Sequence, residues 1–272
     1  GVAYLALVKD AQGARAEVRY AAAQVPNPTS SADWMLFIVD SAPLPPEDPQ
    51  SPNVYPLPDS LGLFVDSARL PSQAPVVVYY DRVNGDLKMS KFNPQSGQFG
   101  VATILDGTMN RDAGWSPSIS IDPAGMVHVA YVAATHDDLT YMKEGTPQEI
   151  VDDGYRIVGT TVDGLPKPEF HFVGDDASLQ LIGGATPWIV YQDSTTQALL
   201  LGVKQQDGSW SRTTLAGGVV QGQIWPGAYG FFAASSLRAT DLVISTWVIN
   251  QPADNPYDDN WVEIFVRPTT IQ

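Results

Sequence analysis

The sequence predicts an all-β fold, a β-propeller of five or six four-stranded blades with incomplete terminal blades. Three observations predict it: a repeating unit of short strands, an aromatic residue at a fixed place in that unit, and frequent turn residues. The 272 residues include 23 Gly and 22 Pro, which interrupt the chain too often for long helices. The 7 Trp, 11 Tyr and 9 Phe are residue types that favour strands.

The repeating unit is clearest between residues 115 and 154. An alternating strand is followed by the turn Pro123-Ala124-Gly125, and an apolar strand follows that turn. Two further strands complete the unit, separated by a turn at Gly145-Thr146-Pro147. Internal repeats of this kind indicate a propeller or a solenoid. The predicted blades cover residues 1–41, 60–107, 115–154, 175–217 and 227–272.

An aromatic residue lies at the equivalent place in four of these units, near the end of the second strand. These residues are Tyr79, Tyr131, Tyr191 and Trp247. Their spacings of 52, 60 and 56 residues exceed the usual blade period of about 40 to 50 residues. The additional residues fall in predicted loops.

The second strands are apolar at successive positions, as in Val76-Val77-Val78 and Trp188-Ile189-Val190. Such strands are covered on both faces, which the radial packing of blades achieves. A β-sandwich also contains many short strands, but it does not predict an aromatic residue in a fixed place. The first unit lacks an innermost strand and the last lacks an outermost one.

The segments from Ser118 to Tyr131 and from Val76 to Met89 resemble repeats of secreted bacterial propellers of the sialidase-like and BNR-repeat group. The shared pattern is an alternating strand, an Asp-x-x-Gly turn, an apolar strand ending in Tyr, and a Leu-led third strand. The chain departs from that group because it has no intact Asp-box. Asp207-Gly208-Ser209-Trp210 is a remnant of one. Sialidase activity is therefore not expected.

The composition of the chain restricts the classes of molecule that it is expected to bind. A net charge of −15 repels nucleic acid and anionic membranes, and it favours cations, cationic partners or neutral sugars. The same charge could serve solubility alone. The absence of Cys excludes disulfides and thiolate metal sites, and no apolar run suits a membrane span. The chain begins at Gly1, as a cleaved signal peptide or a trimmed chain would explain. We expect a secreted, periplasmic or cell-surface protein.

The long connections share one face of the predicted propeller. In an up-and-down meander, turns after the second strand and links between blades lie together. Long links are predicted at 42–60, 155–174, 218–227 and 250–260, whereas the turns on the other face are short. Long loops on a rigid scaffold often carry function, so any site is expected on this face.

Aromatic and imidazole side chains in these connections are candidates for ligand binding, since sugar-binding clefts combine aromatic faces with polar groups. The alternative is that they fill gaps between blades. Trp115 and Trp225 are preferred because each comes just before an innermost strand. The candidates are Trp115, Trp225, Tyr229, His171 and Tyr55.

Carboxylates supply two further hypotheses. Four acids lie where innermost strands begin, the place for the two carboxylates of a glycosidase: Asp59, Asp112, Asp175 and Asp176. The catalytic candidates among them are Asp59, Asp112 and Asp176. Asp254, Asp258 and Asp259 are candidate ligands for Ca²⁺, which prefers oxygen donors. Asp is also common in ordinary polar turns, so the presence of Asp254, Asp258 and Asp259 does not require a metal.

The sequence therefore predicts a non-enzymatic extracellular binding or interaction propeller. Its ligand site lies on the face with the long links, and its partner is a carbohydrate or a protein, within a larger chain or assembly. The alternative is a carbohydrate-active enzyme that uses carboxylates at the mouth of the central channel. No certain cofactor is predicted.

Overall fold

The computed structural model describes residues 1–44, 60–107, 111–220, 223–225, 227–238, 241–250 and 261–270. These residues form 23 β-strands and one short 3₁₀ turn, Ser31–Asp33, so the described chain is all-β. It divides into two compact units, Gly1–Pro117 and Ser118–Gln272. Within the described residues there is no helix with the length and apolar character that a membrane crossing requires.

The first unit holds two antiparallel sheets that follow one another along the chain. The first has the order β1-β2-β3, and the second has the order β4-β5-β6 with β7 and β8 both paired to β6. The strands are β1 (Val2–Asp10), β2 (Gly13–Ala23), β3 (Trp34–Pro43), β4 (Leu61–Arg69), β5 (Pro75–Asp81), β6 (Asp86–Asn93), β7 (Gln98–Phe99) and β8 (Thr103–Asp106).

The second unit continues the meander with two four-stranded sheets, a three-stranded sheet and two hairpins. β9, which starts at the end of the first unit, is the edge of the sheet β12-β11-β10-β9. The strands are β9 (Trp115–Ile121), β10 (Val127–Ala133), β11 (Asp138–Lys143), β12 (Glu149–Asp152), β13 (Tyr155–Thr160), β14 (Pro166–Phe170), β15 (Val173–Ile182), β16 (Thr186–Asp193), β17 (Ala198–Lys204), β18 (Trp210–Ala216), β19 (Gly218–Val220), β20 (Gln223–Trp225), β21 (Ala228–Arg238), β22 (Asp241–Asn250) and β23 (Trp261–Thr270).

The second strands form the core, as their apolar runs predict. β10 is buried along its whole length, and Tyr79, Tyr131 and Tyr191 are fully buried. In the second unit, residues of β16 pack toward β10 and β11 on one side and toward β21 and β22 on the other. Because these strands are covered on both faces, polar and apolar residues do not alternate along them.

Two of these tyrosines join their sheet to the preceding one. The Tyr79 hydroxyl donates to Asp40 Oδ2 of β3 over 2.5 Å, and the Tyr191 hydroxyl donates to Asp152 Oδ2 of β12 over 2.8 Å. Trp247 differs from the prediction. Its side chain lies against Phe232 with ring centroids 5.2 Å apart and is 47% exposed, whereas the three tyrosines are fully buried.

A buried histidine network stabilises the sheet that contains β10. His128 Nδ1 lies 2.6 Å from the Tyr141 hydroxyl, and its Nε2 lies 3.3 Å from Asp122 Oδ2. Lys143 Nζ also donates to Asp122 Oδ2, over 3.0 Å. Burial lowers the pKa of His128 more than Asp122 raises it. Ionised Asp122 can only accept, so His128 is neutral, donates from Nε2 and accepts from Tyr141.

This network predicts a loss of stability in mild acid. The unfolded chain binds a proton at His128 near pH 6.5, whereas the native pKa is lower, so the free energy of unfolding falls as pH drops from about 7 to about 5. Urea denaturation of the wild type and His128→Asn at both pH values measures it. His136 and His171 are present in both proteins, so equal pH dependence in the two would contradict the prediction.

Candidate functional site

The strands β4, β9, β15 and β21, which come first in their sheets and were predicted to be innermost, begin in the same way. In each, a glycine with positive φ follows Leu, Ala, Val or Tyr. At the two residues after the glycine, either the register of strand pairing shifts or the backbone adopts a left-handed conformation. The four segments are Leu61-Gly62-Leu63-Phe64, Ala113-Gly114-Trp115-Ser116, Val173-Gly174-Asp175-Asp176 and Tyr229-Gly230-Phe231-Phe232.

Close packing explains the glycine. A Cβ added to Gly114 would lie 2.9 Å from the Leu87 Cα, and one added to Gly230 would lie 2.8 Å from the Gln192 Cβ. The residue before the glycine is also held, since the Ala113 N–H donates to the Gly85 carbonyl over 3.0 Å. The equivalent N–H of Tyr229 donates to the preceding hairpin turn. The start of each innermost strand is therefore fixed by the preceding sheet.

The residue two positions after the glycine adopts positive φ in three segments: Ser116 at 45°, Asp176 at 50° and Phe232 at 49°. Left-handed backbone at a residue other than glycine costs about 1 to 3 kcal/mol and is common at functional sites. A bulge of this kind changes the direction of a side chain. Only the β15 segment, among these four, places carboxyl groups at both positions after the glycine.

Asp175 and Asp176 have different partners. Asp175 Oδ2 accepts a hydrogen bond from the Ser194 hydroxyl over 2.6 Å. Asp176 Oδ2 accepts one from the Phe232 N–H over 2.8 Å. Ser194 also lies 3.3 Å from Gln192 Oε1. We refer to Asp175 and Asp176 as the inner-strand acid pair.

The surroundings of this pair favour a protonated carboxyl group. Burial raises the pKa of Asp176, and the charge of Asp175 raises it further, although the Phe232 hydrogen bond opposes both. Burial and the charge of Asp175 likewise raise the pKa of Asp137, the left-handed residue that ends the β10–β11 turn. A carboxyl group with a raised pKa, next in sequence to one that accepts a hydrogen bond from a hydroxyl, is an arrangement suited to acid–base chemistry.

A second polar network lies at the base of the hairpin formed by β13 and β14. His171 Nδ1 contacts Asp193 Oδ2 at 2.6 Å, and both residues are buried. Arg156 contacts Asp193 at 3.8 Å and donates to Asp152 from Nη1 and Nη2 over 2.8 and 2.7 Å. This network fixes the hairpin to the sheets on either side of it in the chain.

Asp152 is the centre of this network. It also accepts hydrogen bonds from Arg212 Nη1, the Tyr191 hydroxyl and the Gly154 N–H. Burial alone would raise its pKa, but the hydrogen bonds from Arg156 and Tyr191 outweigh burial and hold the pKa below its usual value. Asp152 is therefore a structural carboxylate, fully paired inside the protein.

The first unit contains an aromatic cluster at the start of β9. The Trp115 ring centroid lies 5.8 Å from that of Phe64 and 5.8 Å from that of Tyr80. The Tyr80 hydroxyl donates to Asp112 Oδ1 over 2.8 Å. Two residues singled out from the sequence, Asp112 and Trp115, are thus brought together through Tyr80.

The other predicted site residues are placed as follows. His171 is buried in the network around Asp152, and Tyr229 is buried among apolar side chains, with its carbonyl accepting from Gln192 Nε2 over 2.6 Å. Trp225 ends the short strand β20. Tyr55 and Asp59, and the calcium candidates Asp254, Asp258 and Asp259, lie outside the described residues. The roles proposed for all these residues stay predictions.

No three His, Asp or Glu side chains in the described part of the chain are placed to share a metal ion. Two linking segments that were expected to be loops contain strands instead, β13–β14 and β19–β20. Asp175 was recognised from the sequence only as an acid at an inner-strand start. The repeated glycine is the signal that would have marked Asp175 more strongly. When the four segments are aligned on this glycine, only the β15 segment has acids at the next two positions, where the others have aromatic, aliphatic or hydroxyl side chains.

Of the comparisons with known proteins, the one with solved structures supports the fold. No family model matches the chain, and no curated protein matches its sequence. Among solved structures, a GH93 α-L-arabinofuranosidase of Fusarium graminearum in complex with arabinobiose has a TM-score of 0.50 at 13% identity. The match covers 76% of this chain and 62% of that enzyme.

Two further structures are more distant. A GH43_1 enzyme from Xanthomonas citri has a TM-score of 0.41 at 11% identity, over 75% of this chain and 67% of that one. Drosophila Semaphorin 1b, extracellular domains 1-2, has the same TM-score at 7% identity, over 98% of this chain and 52% of that one. We base no argument on these two. The chain is thus an all-β protein that shares the propeller-type fold of the arabinofuranosidase, and membership of the sialidase-like group stays a prediction.

Proposed function

We propose that this chain is the five-bladed propeller of a carbohydrate-active protein that cleaves a glycosidic bond at the inner-strand acid pair. Asp176 acts as the general acid, and Asp175 is its carboxylate partner. One observation carries the proposal. Of four equivalent inner-strand starts, only the start of β15 has acids at both positions, and one of them has a raised pKa.

The chemistry matches these positions. Glycosidases use a pair of Asp or Glu residues, one protonated to assist the leaving group and one ionised. Asp176 is half-buried and its pKa lies above the usual Asp value, while Asp175 accepts a hydrogen bond from the Ser194 hydroxyl. In support, the structure with the TM-score of 0.50 is an arabinofuranosidase with bound arabinobiose, which makes arabino-oligosaccharides the first substrates to test.

The fold part of the proposal rests on the sheet order. Five sheets of three or more strands follow one another in the described residues, each an antiparallel meander. Five blades with the boundaries predicted above account for this order. An exported location belongs to the same proposal, as does a carbohydrate partner.

The proposal is tested by replacing the acid. We expect Asp176→Asn to lower the rate of arabino-oligosaccharide hydrolysis at least about 100-fold, since a general acid contributes about 10² to 10⁴. In the wild type, the rate should fall as pH rises through the pKa of Asp176, because the acid must carry a proton. Product chromatography measures both. Asp163→Asn, in an exposed turn, is the matched control. Equal rates for Asp176→Asn and wild type would remove Asp176 from the mechanism.

A non-enzymatic binding propeller is the second candidate. The hairpin of β13 and β14 favours it, because the hairpin and its turn expose several apolar side chains. The most exposed are Val162, Leu165 and Phe170. Large exposed apolar patches often mark interaction surfaces. Oligosaccharide binding without any product, in the wild type as in Asp176→Asn, would favour this function over the enzyme.

A further inference from the structure

The segment Gly208-Ser209-Trp210, which joins β17 to β18, forms one wall of an open groove in the second unit. The groove has a cavity volume of about 640 Å³, within the range of about 300 to 1,000 Å³ typical of small-molecule sites. β12 supplies the opposite wall. The lining includes Glu149, Asp153, Lys204, Trp210 and Arg212.

The turn holds Trp210 in place. Asp207 Oδ1 accepts the Ser209 N–H over 2.9 Å and the Ser209 hydroxyl over 2.6 Å, and these hydrogen bonds lower the pKa of Asp207. The Trp210 ring packs edge-on against Tyr141 with centroids 5.3 Å apart. The indole is therefore anchored on one side and remains part of the groove wall on the other.

Glu149 and Lys204 complete a polar edge around the indole. The Trp210 indole N–H donates to Glu149 Oε2 over 3.0 Å, and Lys204 Nζ pairs with the same oxygen. Lys204 Nζ also donates to the Gly208 carbonyl over 2.6 Å and lies 5.2 Å from the Trp210 ring centroid. The groove thus presents an aromatic surface next to both a hydrogen-bond acceptor and a donor.

The charge of the groove differs from that of the whole protein. Glu149 and Asp153 are balanced by Lys204 and Arg212, in a chain with a net charge of −15. Arg212 Nη1 lies 3.7 Å from Asp153 and contacts buried Asp152. A locally neutral groove with donors, acceptors and an indole suits a ligand that carries hydroxyl groups and no charge.

The groove is separate from the inner-strand acid pair. Asp175 and Asp176 lie at the start of β15, whereas the groove lies at the β17–β18 turn and the start of β12. In the meander these positions are at opposite ends of the strands. The groove also lies on outer strands, and the acid pair lies on an innermost one.

From this arrangement we propose that the groove is a second binding site, for a neutral oligosaccharide, away from the site of bond cleavage. The ligand class rests on the proposed function, and the site itself rests on the groove. Such a site would hold one stretch of a polysaccharide while another stretch reaches the acid pair.

The test uses binding, so it does not depend on catalysis. Arabinotetraose and xylotetraose are titrated into the Asp176→Asn protein, and the indole N–H resonance of Trp210 is followed by NMR. Trp210→Phe identifies that resonance. We expect it to shift with at least one tetrasaccharide, and we expect Glu149→Gln to weaken that binding about tenfold, the effect of losing a hydrogen bond to a charged group.

The outcomes separate the two proposals. A shift at Trp210 in a protein that shows no hydrolysis as wild type supports the groove and contradicts the enzyme. No shift with either tetrasaccharide, or the same affinity in Glu149→Gln as in the control Asp163→Asn, overturns the groove proposal. Stronger binding of tetragalacturonate than of either neutral probe overturns the assignment to a neutral ligand.

Discussion

Replacing Asp152 by Ala is expected to lower the free energy of unfolding by about 3 to 5 kcal/mol, the usual cost of breaking a buried ion pair from one side. The Asp152 side chain is fully buried and pairs with both Arg156 and Arg212. Without it, the Tyr191 hydroxyl loses its buried acceptor, and Arg156 and Arg212 keep only longer contacts, to Asp193 at 3.8 Å and to Asp153 at 3.7 Å. Urea denaturation, monitored by tryptophan fluorescence, measures the change.

The neighbouring residue provides the control. Asp153 lies 3.7 Å from Arg212, but its side chain is 57% exposed. Exposed ion pairs contribute about 0 to 1 kcal/mol, so Asp153→Ala should change stability little. Tyr191→Phe removes one hydrogen bond to Asp152 and should cost about 1 kcal/mol. Similar effects for Asp152→Ala and Asp153→Ala would show that the network around Asp152 is not a structural centre.

Replacing Gly114 by Ala is expected to destabilise the protein much more than the same change at Gly13. The two glycines have nearly equal φ, 111° and 110°, so the backbone strain of an alanine is similar at both. The two glycines differ in how much space surrounds them. A Cβ at Gly114 would lie 2.9 Å from both the Cα and the Cβ of Leu87, whereas a Cβ at Gly13 would have no atom within 4 Å.

The difference between the two variants isolates the packing contribution. Gly13→Ala should cost about 1 to 3 kcal/mol from strain alone. Gly114→Ala should cost about 1 to 3 kcal/mol more, because overpacking forces neighbouring atoms to move. Thermal and urea denaturation of both variants measure the difference. Equal losses would mean that the inner-strand glycines are required only for their backbone conformation.

Much of the fold follows from local pattern. Consecutive antiparallel meanders are predicted by three features: the apolar second strands, the frequent turn residues, and the recurrence of Tyr79, Tyr131 and Tyr191 at equivalent positions. Each of these features depends on residues that are close together in the chain. The fully buried tyrosines agree with that prediction. Trp247 does not share their burial, because burial at that position depends on what covers the last sheet.

The site was predicted less completely. Asp112, Trp115 and Asp176 were found from their position before innermost strands, and the structure adds their partners Tyr80 and Phe232. Asp152 received no special role from the sequence, although it accepts hydrogen bonds from Arg156, Tyr191, Arg212 and the Gly154 N–H. Arg156 is four residues away, but Tyr191 and Arg212 are 39 and 60 residues away, and no local pattern connects Asp152 with those two.

Strand positions and the acidic, cysteine-free character of this protein can therefore be read from the order of its residues, because side-chain alternation and turn chemistry act over a few positions. The pairing of Asp175 with Ser194, the raised pKa of Asp176 and the groove around Trp210 required three-dimensional packing. They depend on contacts between strands that are distant in the chain and on how far burial removes each group from water, and neither is present in a linear pattern.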